Sequence, residues 1–220
     1  MLALLEAELP ITRRVLRAGE CLYQAGDRFE CLHVVHAGFF KTVETAADGR
    51  EQVVGLHFKG AWLGFDGIAE HHHGCDAVAM DTGEIWSIRY DALMARCIER
   101  PALLATLHDA MSREMARDRG AMLALCTLPA DARVADFLRN WAEALEERGL
   151  RSDQITLRMT RAEIGNYLGM KLETVSRALS RLARDKVIGF SQGGRRDLQI
   201  PDVAALGAFV ERSLAEATVH

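Results

Sequence analysis

The chain has 220 residues, of which 49% are hydrophobic and 26% are charged, so it can build a sizeable core in one or two domains. Its formal net charge is −4, from 27 basic and 31 acidic side chains, which taken alone argues against a nucleic-acid partner. No apolar run approaches the roughly 18 residues of a membrane span. The N-terminal segment lacks the basic leader of a signal peptide. These features predict a protein of the cytoplasm with no membrane partner.

The cysteines give no sign of a metal site or of a disulfide framework. Their number is odd, their spacing is wide, and no C-x-x-C occurs. We therefore expect reduced thiols in a cytoplasm and no zinc or iron–sulfur motif. The five residues are Cys21, Cys31, Cys75, Cys97 and Cys126.

Residues 11–90 have the pattern of a small β-structure. Short strand-like runs alternate with glycine-containing turn signals at intervals of about 8–12 residues, which favours a roll or barrel. Asp48-Gly49 is the strongest turn signal, because Asp-Gly supports the positive φ angles of a tight hairpin. It is expected to join strands at 39–45 and 52–58.

Residues 101–125 read as one long helix with Pro101 near its start. A stripe at spacings of four and three residues follows the seam pattern of a coiled coil and predicts a dimer helix. The alternative is a helix packed on the core of its own domain. Asp118 lies inside the stripe, where it would face its own copy and weaken association, unless it points off the seam. The stripe consists of Met111, Met115, Asp118, Met122 and Leu125.

A second amphipathic helix is predicted over 130–148, after a break at 127–129, and Gly149 ends it. A short strand at 154–158 follows. The apolar face of this helix consists of Val134, Phe137, Leu138, Trp141 and Leu145.

Residues 160–200 carry the most informative pattern. Thr160 and Glu163 form a capping box ahead of a short helix that stops at Gly169. A second helix over 172–185 places Val175, Leu179 and Leu182 inward, and polar residues on the remaining face. Two short helices around a glycine-containing turn are typical of a helix-turn-helix. A predicted hairpin, 187–190 and 198–200 with the tip Gly193-Gly194-Arg195-Arg196, resembles a wing. The alternative is an ordinary helical hairpin with a solvated charged face.

The charge is distributed unevenly along the chain. Residues 156–196 hold nine basic and three acidic residues, a local charge of +6, whereas residues 1–130 hold 13 basic and 18 acidic residues, a charge of −5. A basic segment at the helix-turn-helix can neutralise phosphates, and this reverses the inference from net charge.

The order of roll, long helix and winged helix-turn-helix resembles the Crp/Fnr family of transcriptional regulators over nearly the whole chain. The segment MTRAEIGNYLGMKLETVSRALSRL at 159–182 and the segment GAWLGFDGI at 60–68 resemble its Fnr branch. The resemblance implies an α+β fold. Its parts would be a cyclic-nucleotide-binding-like β-roll (jelly roll) over 1–100, a dimerisation helix over 101–126, and a winged helix-turn-helix over 127–220.

The resemblance implies a homodimer on double-stranded DNA at a TTGAT-N4-ATCAA palindrome. The motif E-T-V-S-R at 173–177 gives Glu173, Ser176 and Arg177 as base-reading residues. The chemistry agrees, because arginine can fork onto guanine O6 and N7, and a carboxylate can accept from cytosine N4. Two such helices would lie about 34 Å apart. The phosphate-contact candidates are Thr160, Arg161, Lys171, Thr174, Arg181, Arg195 and Arg196.

Two sensors known in the family match this chain poorly. An iron–sulfur cluster of the Fnr type needs cysteines in an N-terminal extension and one in the roll, where Trp86 stands. Cyclic AMP needs a phosphate-binding cassette with an arginine. The corresponding Gly64-Phe65-Asp66 and Gly74-Cys75 supply no cation. We therefore expect neither cofactor, and oxygen or redox sensing by another route stays open.

Three further possibilities concern the roll. His71 and His73 with Cys75 are weak candidates for ligands of haem or a metal. The alternative is that they belong to an exposed polar loop. His71 and His73 also give the H-x-H of a cupin-like metalloenzyme, but the glycine and glutamate of that motif are missing. The protein is therefore not expected to be an enzyme. Thiol oxidation at Cys97 or Cys126 is a third possibility.

A loop of the roll resembles the polymerase-contact regions of Fnr-like activators. It consists of Phe58, Lys59, Gly60 and Ala61. The resemblance implies RNA polymerase as a partner, and the alternative is a plain β-turn.

Overall fold

A computed structural model describes residues 1–191 and 196–218 of the chain. The chain divides into two compact units, Met1–Asp118 and the residues from Arg119 onward. Each unit is described by itself. None of the described helices is long and apolar enough to cross a membrane.

Two four-stranded antiparallel sheets form the first unit. One has the strand order β1-β8-β3-β6 and the other the order β2-β7-β4-β5. The strands are β1 Thr12–Leu16, β2 Cys21–Tyr23, β3 Cys31–Ala37, β4 Phe40–Thr45, β5 Glu51–His57, β6 Trp62–Leu63, β7 Asp76–Ala79 and β8 Gly83–Arg89. The predicted β-roll over 11–90 is therefore confirmed.

Buried strand residues build the core of the roll. In β3, Leu32 and Val34 are fully buried and pack with Trp62 and Trp86 in one apolar cluster, whereas Val35, also fully buried, belongs to a second cluster. These large apolar side chains supply most of the burial that stabilises a domain of this size.

The hairpin at Asp48-Gly49 is present, and the connection between its strands is one residue shorter than predicted. Five residues, 46–50, lie between β4 and β5, and the amide of Gly49 donates to the Ala46 carbonyl at 2.8 Å. Gly49 has φ +81°, which only glycine adopts readily. The hairpin predicted across Asp48-Gly49 is therefore confirmed, with β4 starting one residue later than expected and β5 lying one residue earlier at both ends.

Three helices of the first unit were not predicted from the sequence. They are α1 Leu2–Glu8, α2 Gly67–Glu70 and α3 Tyr90–Glu99. Helix α1 is held to α3 by ion pairs, because the carboxylate of Glu8 lies 2.7 Å from Arg96 Nη2 and 3.3 Å from Arg100 Nε. Such long-range pairing leaves no periodic signal in the sequence.

The long helix α4 spans Pro101–Thr127, two residues beyond the predicted end. The hydroxyl of Thr127 donates to the Leu123 carbonyl at 2.8 Å, which allows a residue with low helix propensity to stay in the last turn.

The second unit is a helical domain with a small sheet of order β10-β11-β9. Its elements are α5 Ala130–Glu146, β9 Gln154–Thr156, α6 Arg161–Tyr167, α7 Leu172–Arg184, β10 Gly189–Phe190, β11 Asp197–Gln199 and α8 Val203–Thr218. Helix α8 was not predicted, and α5 and β9 each end two residues before their predicted ends. The α+β fold with roll, long helix and helix-turn-helix is confirmed.

Candidate nucleic-acid interface

The first helix of the helix-turn-helix begins with the predicted capping box. The Thr160 hydroxyl accepts from the Glu163 amide at 3.2 Å, and the Glu163 carboxylate accepts from the Thr160 amide at 2.7 Å. This exchange satisfies two amides that a helix N-terminus otherwise leaves unpaired. It fixes the start of α6.

The turn between α6 and α7 depends on two glycines. Gly169 has φ +62° and so allows the chain to leave α6 in the left-handed region. Gly165 is buried inside α6, and the Met170 amide donates to its carbonyl at 2.8 Å. The sequence analysis identified Gly169 but missed Gly165. A glycine is needed at 165 because the backbone of the turn packs directly against it.

Helix α7 has one apolar face and one polar face. Val175, Ala178, Leu179 and Leu182 are buried, and α7 packs on α5 and α6. Because this inner face is anchored, the opposite face is held in a fixed orientation.

The three predicted base-reading residues lie together at the N-terminal half of α7. Glu173 and Arg177 are exposed and Ser176 is half-buried. Residues three and four apart share a helix face, so Glu173, Ser176 and Arg177 form one edge. Among the described residues, neither Glu173 nor Arg177 has an ion pair or hydrogen-bonding side-chain partner. Their polar groups are therefore available to a ligand.

Leu172 lies beside this edge and was missed by the sequence reasoning. It is the first residue of α7 and keeps 45% of its surface exposed. A large apolar side chain exposed at the start of such a helix can contact a thymine methyl group. The sequence could have indicated this exposure, because Leu172 was not among the residues of α7 whose spacing predicts burial.

The phosphate-contact candidates differ in how they are held. Lys171 is exposed at the N-cap of α7, and Thr174 is half-buried one turn later. Arg161 is half-buried, with its guanidinium 6.0 Å from the Phe190 ring centre. Each of these groups lies beside a start of a helix, where anions bind favourably.

Arg181 is already engaged by a carboxylate. Its Nη1 lies 2.8 Å from Asp131 Oδ2, and its Nε lies 4.0 Å from Asp185. Asp131 lies outside residues 156–196, so its ion pair with Arg181 offsets part of the local charge of +6 counted from the sequence. Arg196 is exposed, whereas the other three residues of the predicted wing tip, Gly193, Gly194 and Arg195, lie outside the described residues.

The predicted dimer stripe on α4 is mostly exposed within one chain. Met111 is half-buried against the roll core, which matches the alternative of packing on its own domain at this position. Met115 and Met122 keep 60% and 64% of their surfaces exposed, and Leu125 and Asp118 are also exposed.

The histidine loop of the roll is not uniformly exposed, so the expected exposed polar loop was wrong in part. His71 and His72 are exposed, but His73 and Cys75 are buried. The His73 ring stacks on Tyr23 with 3.6 Å between ring centres. Aromatic packing of this kind draws a histidine inward and is invisible in a loop-like sequence.

Asp66 is the polar centre of this region. Its carboxylate accepts from the Gly74 amide at 2.8 Å and lies 3.7 Å from His73 Nδ1. Burial opposes ionisation, but these two neighbours outweigh it and hold the pKa of Asp66 below its usual range. Burial and the adjacent Asp66 carboxylate raise the pKa of Cys75 to about 12.

The five cysteines are separate, and all are free thiols. Cys97 is buried and Cys126 is exposed. Burial raises the pKa of Cys97, which disfavours the thiolate, the reactive form of a cysteine. Within residues 1–191 and 196–218, no three His, Cys, Asp or Glu side chains are grouped so that they could hold a metal ion.

The loop predicted to touch polymerase is a β-turn on the roll. The Ala61 amide donates to the Phe58 carbonyl at 2.8 Å, and Gly60 has φ +85°. Lys59 is exposed, whereas Ala61 is buried. Of these residues, Lys59 offers a side chain to a partner most directly.

A β-roll followed by a helix-turn-helix with an exposed polar recognition edge defines a DNA-binding transcription regulator. Two family models agree with this class. Residues 13–100 match the cyclic nucleotide-binding domain, and residues 132–209 match the Crp-like helix-turn-helix domain.

Individual relatives agree as well. The chain is 36% identical to the transcriptional activator protein Anr of Pseudomonas protegens over 175 residues, covering 80% of this chain and 72% of that one. It is 32% identical to the fumarate and nitrate reduction regulatory protein of Yersinia pestis over 176 residues, covering 80% and 70%. The structure of FixK2 from Bradyrhizobium japonicum superposes with a TM-score of 0.79 at 28% identity, covering 91% and 97%.

The chain therefore belongs to the Crp/Fnr family of transcription regulators, as its motifs predicted. This membership replaces the alternative of a cupin-like metalloenzyme, because the similar proteins are regulators rather than enzymes.

Proposed function

We propose that the protein regulates transcription by binding, as a homodimer, to a palindrome of the TTGAT-N4-ATCAA class. The observation that carries this proposal is the exposed edge of α7 formed by Glu173, Ser176 and Arg177. Arg177 would fork onto a guanine, Glu173 would accept from a cytosine amine, and Ser176 would contact a neighbouring base. The surrounding basic residues would hold the DNA backbone.

Dimer formation would use the exposed part of α4. Met115, Met122 and Leu125 would pack against their own copies, with Asp118 opposing association at the same seam. A two-fold dimer would place the recognition helices one turn of DNA apart, about 34 Å, as two half-sites require.

The residues of the roll fit a cyclic nucleotide poorly. The family model for residues 13–100 implies a site for a cyclic phosphate. In the segment that corresponds to the phosphate-binding cassette, the Asp66 carboxylate already accepts a hydrogen bond from the Gly74 amide. Its negative charge would repel an incoming phosphate. We therefore propose regulation without a cyclic nucleotide.

The same proposal holds for iron–sulfur and haem cofactors. By the resemblance to the Fnr branch, Trp86 takes the position of the fourth cluster cysteine. Its side chain is buried in the roll and stacks on His36 with 4.4 Å between ring centres. His73 and Cys75 are occupied by their packing on Tyr23 and Asp66. The signal would then act through another route, such as oxygen- or redox-linked chemistry or protein amount. The absorption spectrum described below tests for haem.

The proposed setting is the cytoplasm, where a chromosome and RNA polymerase are available. Lys59 on the turn of the roll is the proposed point of contact with polymerase. Activation through this turn would fail in a Lys59→Glu variant that still binds DNA, as measured by transcription in vitro.

Operator binding tests the proposal directly. The 220-residue chain would be titrated against fluorescent duplexes carrying TTGAT-N4-ATCAA or a scrambled site at fixed salt. We expect at least ~1000-fold tighter binding to the palindrome. Equal affinity for both duplexes would overturn the proposed specificity. An absorption spectrum of the freshly purified protein tests the cofactor proposal, because a haem or cluster absorbs near 400 nm.

A further inference from the structure

One arginine side chain joins the end of α4 to the turn of the helix-turn-helix. Arg133 lies in the second turn of α5 and is half-buried. Its Nε donates to the Leu128 carbonyl at 3.0 Å, and its Nη1 donates to the Leu168 carbonyl at 2.9 Å. Leu128 directly follows α4, and Leu168 is the C-cap of α6. All three residues lie in the second unit.

Both acceptors are carbonyls that helices leave unpaired. The last carbonyls of a helix have no amide partner within it, and they carry the negative end of the helix dipole. A guanidinium offers separate donors in a rigid fork, so one side chain can satisfy two helix ends at once. Leu168 is buried, so water would replace its hydrogen bond poorly if Arg133 were removed.

Packing at the same place supports the hydrogen bonds. A Cβ built on Gly169 would lie 3.7 Å from Leu125 Cδ2 and 3.8 Å from Arg133 Nη1. These are ordinary van der Waals distances, so the last turns of α4 lie against the turn of the helix-turn-helix. The end of α4 is therefore held against the turn that leads from α6 to the recognition helix by these hydrogen bonds and by packing at Gly169.

The geometry points to Arg133 as a positioning residue that fixes the angle between the end of α4 and the recognition helix α7. Arg133 is not part of the base-reading edge of Glu173, Ser176 and Arg177. This inference rests on the proposed function, in which two chains meet along α4. In such a dimer, the angle at Arg133 sets the separation and rotation of the two recognition helices.

The consequence is a strict preference for one spacer length. Each base pair added between half-sites moves one half-site by about 3.4 Å and rotates it by about a tenth of a turn. A rigid pair of recognition helices would reject a changed spacer. If the contact at Arg133 were loosened, the dimer would accept neighbouring spacers, while each helix-turn-helix would still read its own half-site.

Spacer discrimination measures this role. The 220-residue chain is titrated against fluorescent duplexes in which TTGAT and ATCAA are separated by three, four, five or six base pairs, and against a duplex that carries one TTGAT. The variants are Arg133→Lys, which keeps the charge but has a single nitrogen, and Arg133→Gln. The control is Arg148→Lys, because the guanidinium of Arg148, just beyond the end of α5, donates to the carbonyl of Ala144, four residues earlier in the chain.

We expect both Arg133 variants to reduce the preference for the four-base-pair spacer by roughly three- to thirtyfold. The affinity for the single half-site should stay within about twofold, and Arg148→Lys should leave both quantities unchanged. An unchanged spacer preference would overturn the inference. So would an equal loss on every duplex, because that result would make Arg133 a residue needed only for folding. If the wild-type protein bound none of the duplexes specifically, the proposed function itself would fail.

Discussion

A Cβ built on Gly165 would lie 2.5 Å from the carbonyl oxygen of Met170, far inside any normal contact distance. Gly165 belongs to α6, and Met170 belongs to the turn that leads to α7. This pair brings the two helices of the helix-turn-helix close together. Only a residue without a side chain allows the approach.

We therefore expect Gly165→Ala to destabilise the second unit by about 1–3 kcal/mol, because the turn must shift to admit the methyl group. Urea unfolding followed by circular dichroism measures the change. Gly120→Ala is the matched control, because a Cβ at Gly120 meets nothing within 4 Å on helix α4. That control should be neutral or stabilising by up to about 1 kcal/mol. Equal destabilisation by both substitutions would contradict the role of the close approach.

Base reading by Arg177 has a measurable signature. Arg177→Ala should weaken binding to the palindrome by about 1–3 kcal/mol and relax specificity at one base pair of each half-site. Binding to a panel of single-base variants of the operator reveals that position. Arg212→Ala, which removes an exposed arginine from α8, is the control and should cost little. Equal losses on palindrome and scrambled duplexes would assign Arg177 to the phosphates instead.

The recognition segment shows how much the sequence could predict. Thr160 and Glu163 cap α6 as expected, and Val175, Leu179 and Leu182 are buried as expected. Cap chemistry and helical periodicity are local, so they can be read from neighbouring residues.

Other features depend on contacts between distant residues. The Glu8–Arg96 pair joins residues 88 positions apart, and the Tyr23–His73 stack draws a loop histidine into the roll. The periodic spacing of apolar residues does not indicate pairs between residues so far apart in the sequence. The bond from Arg133 to the Leu168 carbonyl was also unpredicted, because a backbone acceptor has no sequence signature.

Leu172 gives a prediction about a single methyl group. Its exposed side chain at the start of α7 should contact a thymine methyl in the half-site. Replacing that thymine by deoxyuridine should then weaken wild-type binding by roughly 0.8 kcal/mol, the value of one buried methylene. In Leu172→Ala the same replacement should have little effect. Competition binding with each thymine replaced in turn completes the cycle, and equal losses in both proteins would contradict the contact.

Asp118 should control association along α4. Removing a like charge from a two-fold seam favours the dimer, so Asp118→Ala should tighten dimerisation by about twofold. Sedimentation velocity over a range of concentrations measures the change. Asp109→Ala is the control, because Asp109 is exposed and pairs with Arg113 on its own helix. A dimer equally strengthened by both substitutions would show a general charge effect rather than a seam.

His57 gives a prediction about acid stability. It is buried, its Nε2 lies 3.2 Å from the Thr42 hydroxyl, and its Nδ1 lies 3.9 Å from the Glu114 carboxylate. Burial, assisted by Arg117, lowers the pKa of His57 to about 3, although an unfolded histidine titrates near 6.5. Between these two pKa values, His57 is protonated in the unfolded state and neutral in the folded state.

The sign follows from this difference in pKa. The stability contributed by neutral His57 is fully present above pH 6.5 and is lost as the pH falls toward about 3. Between pH 7 and pH 5 the loss is roughly 2 kcal/mol. His57→Gln stays neutral, so it should lose less stability over the same interval by about that amount. Urea midpoints at both pH values measure it, with the exposed His72→Gln as control. Parallel losses in the wild type and in His57→Gln would mean that other groups govern the acid response.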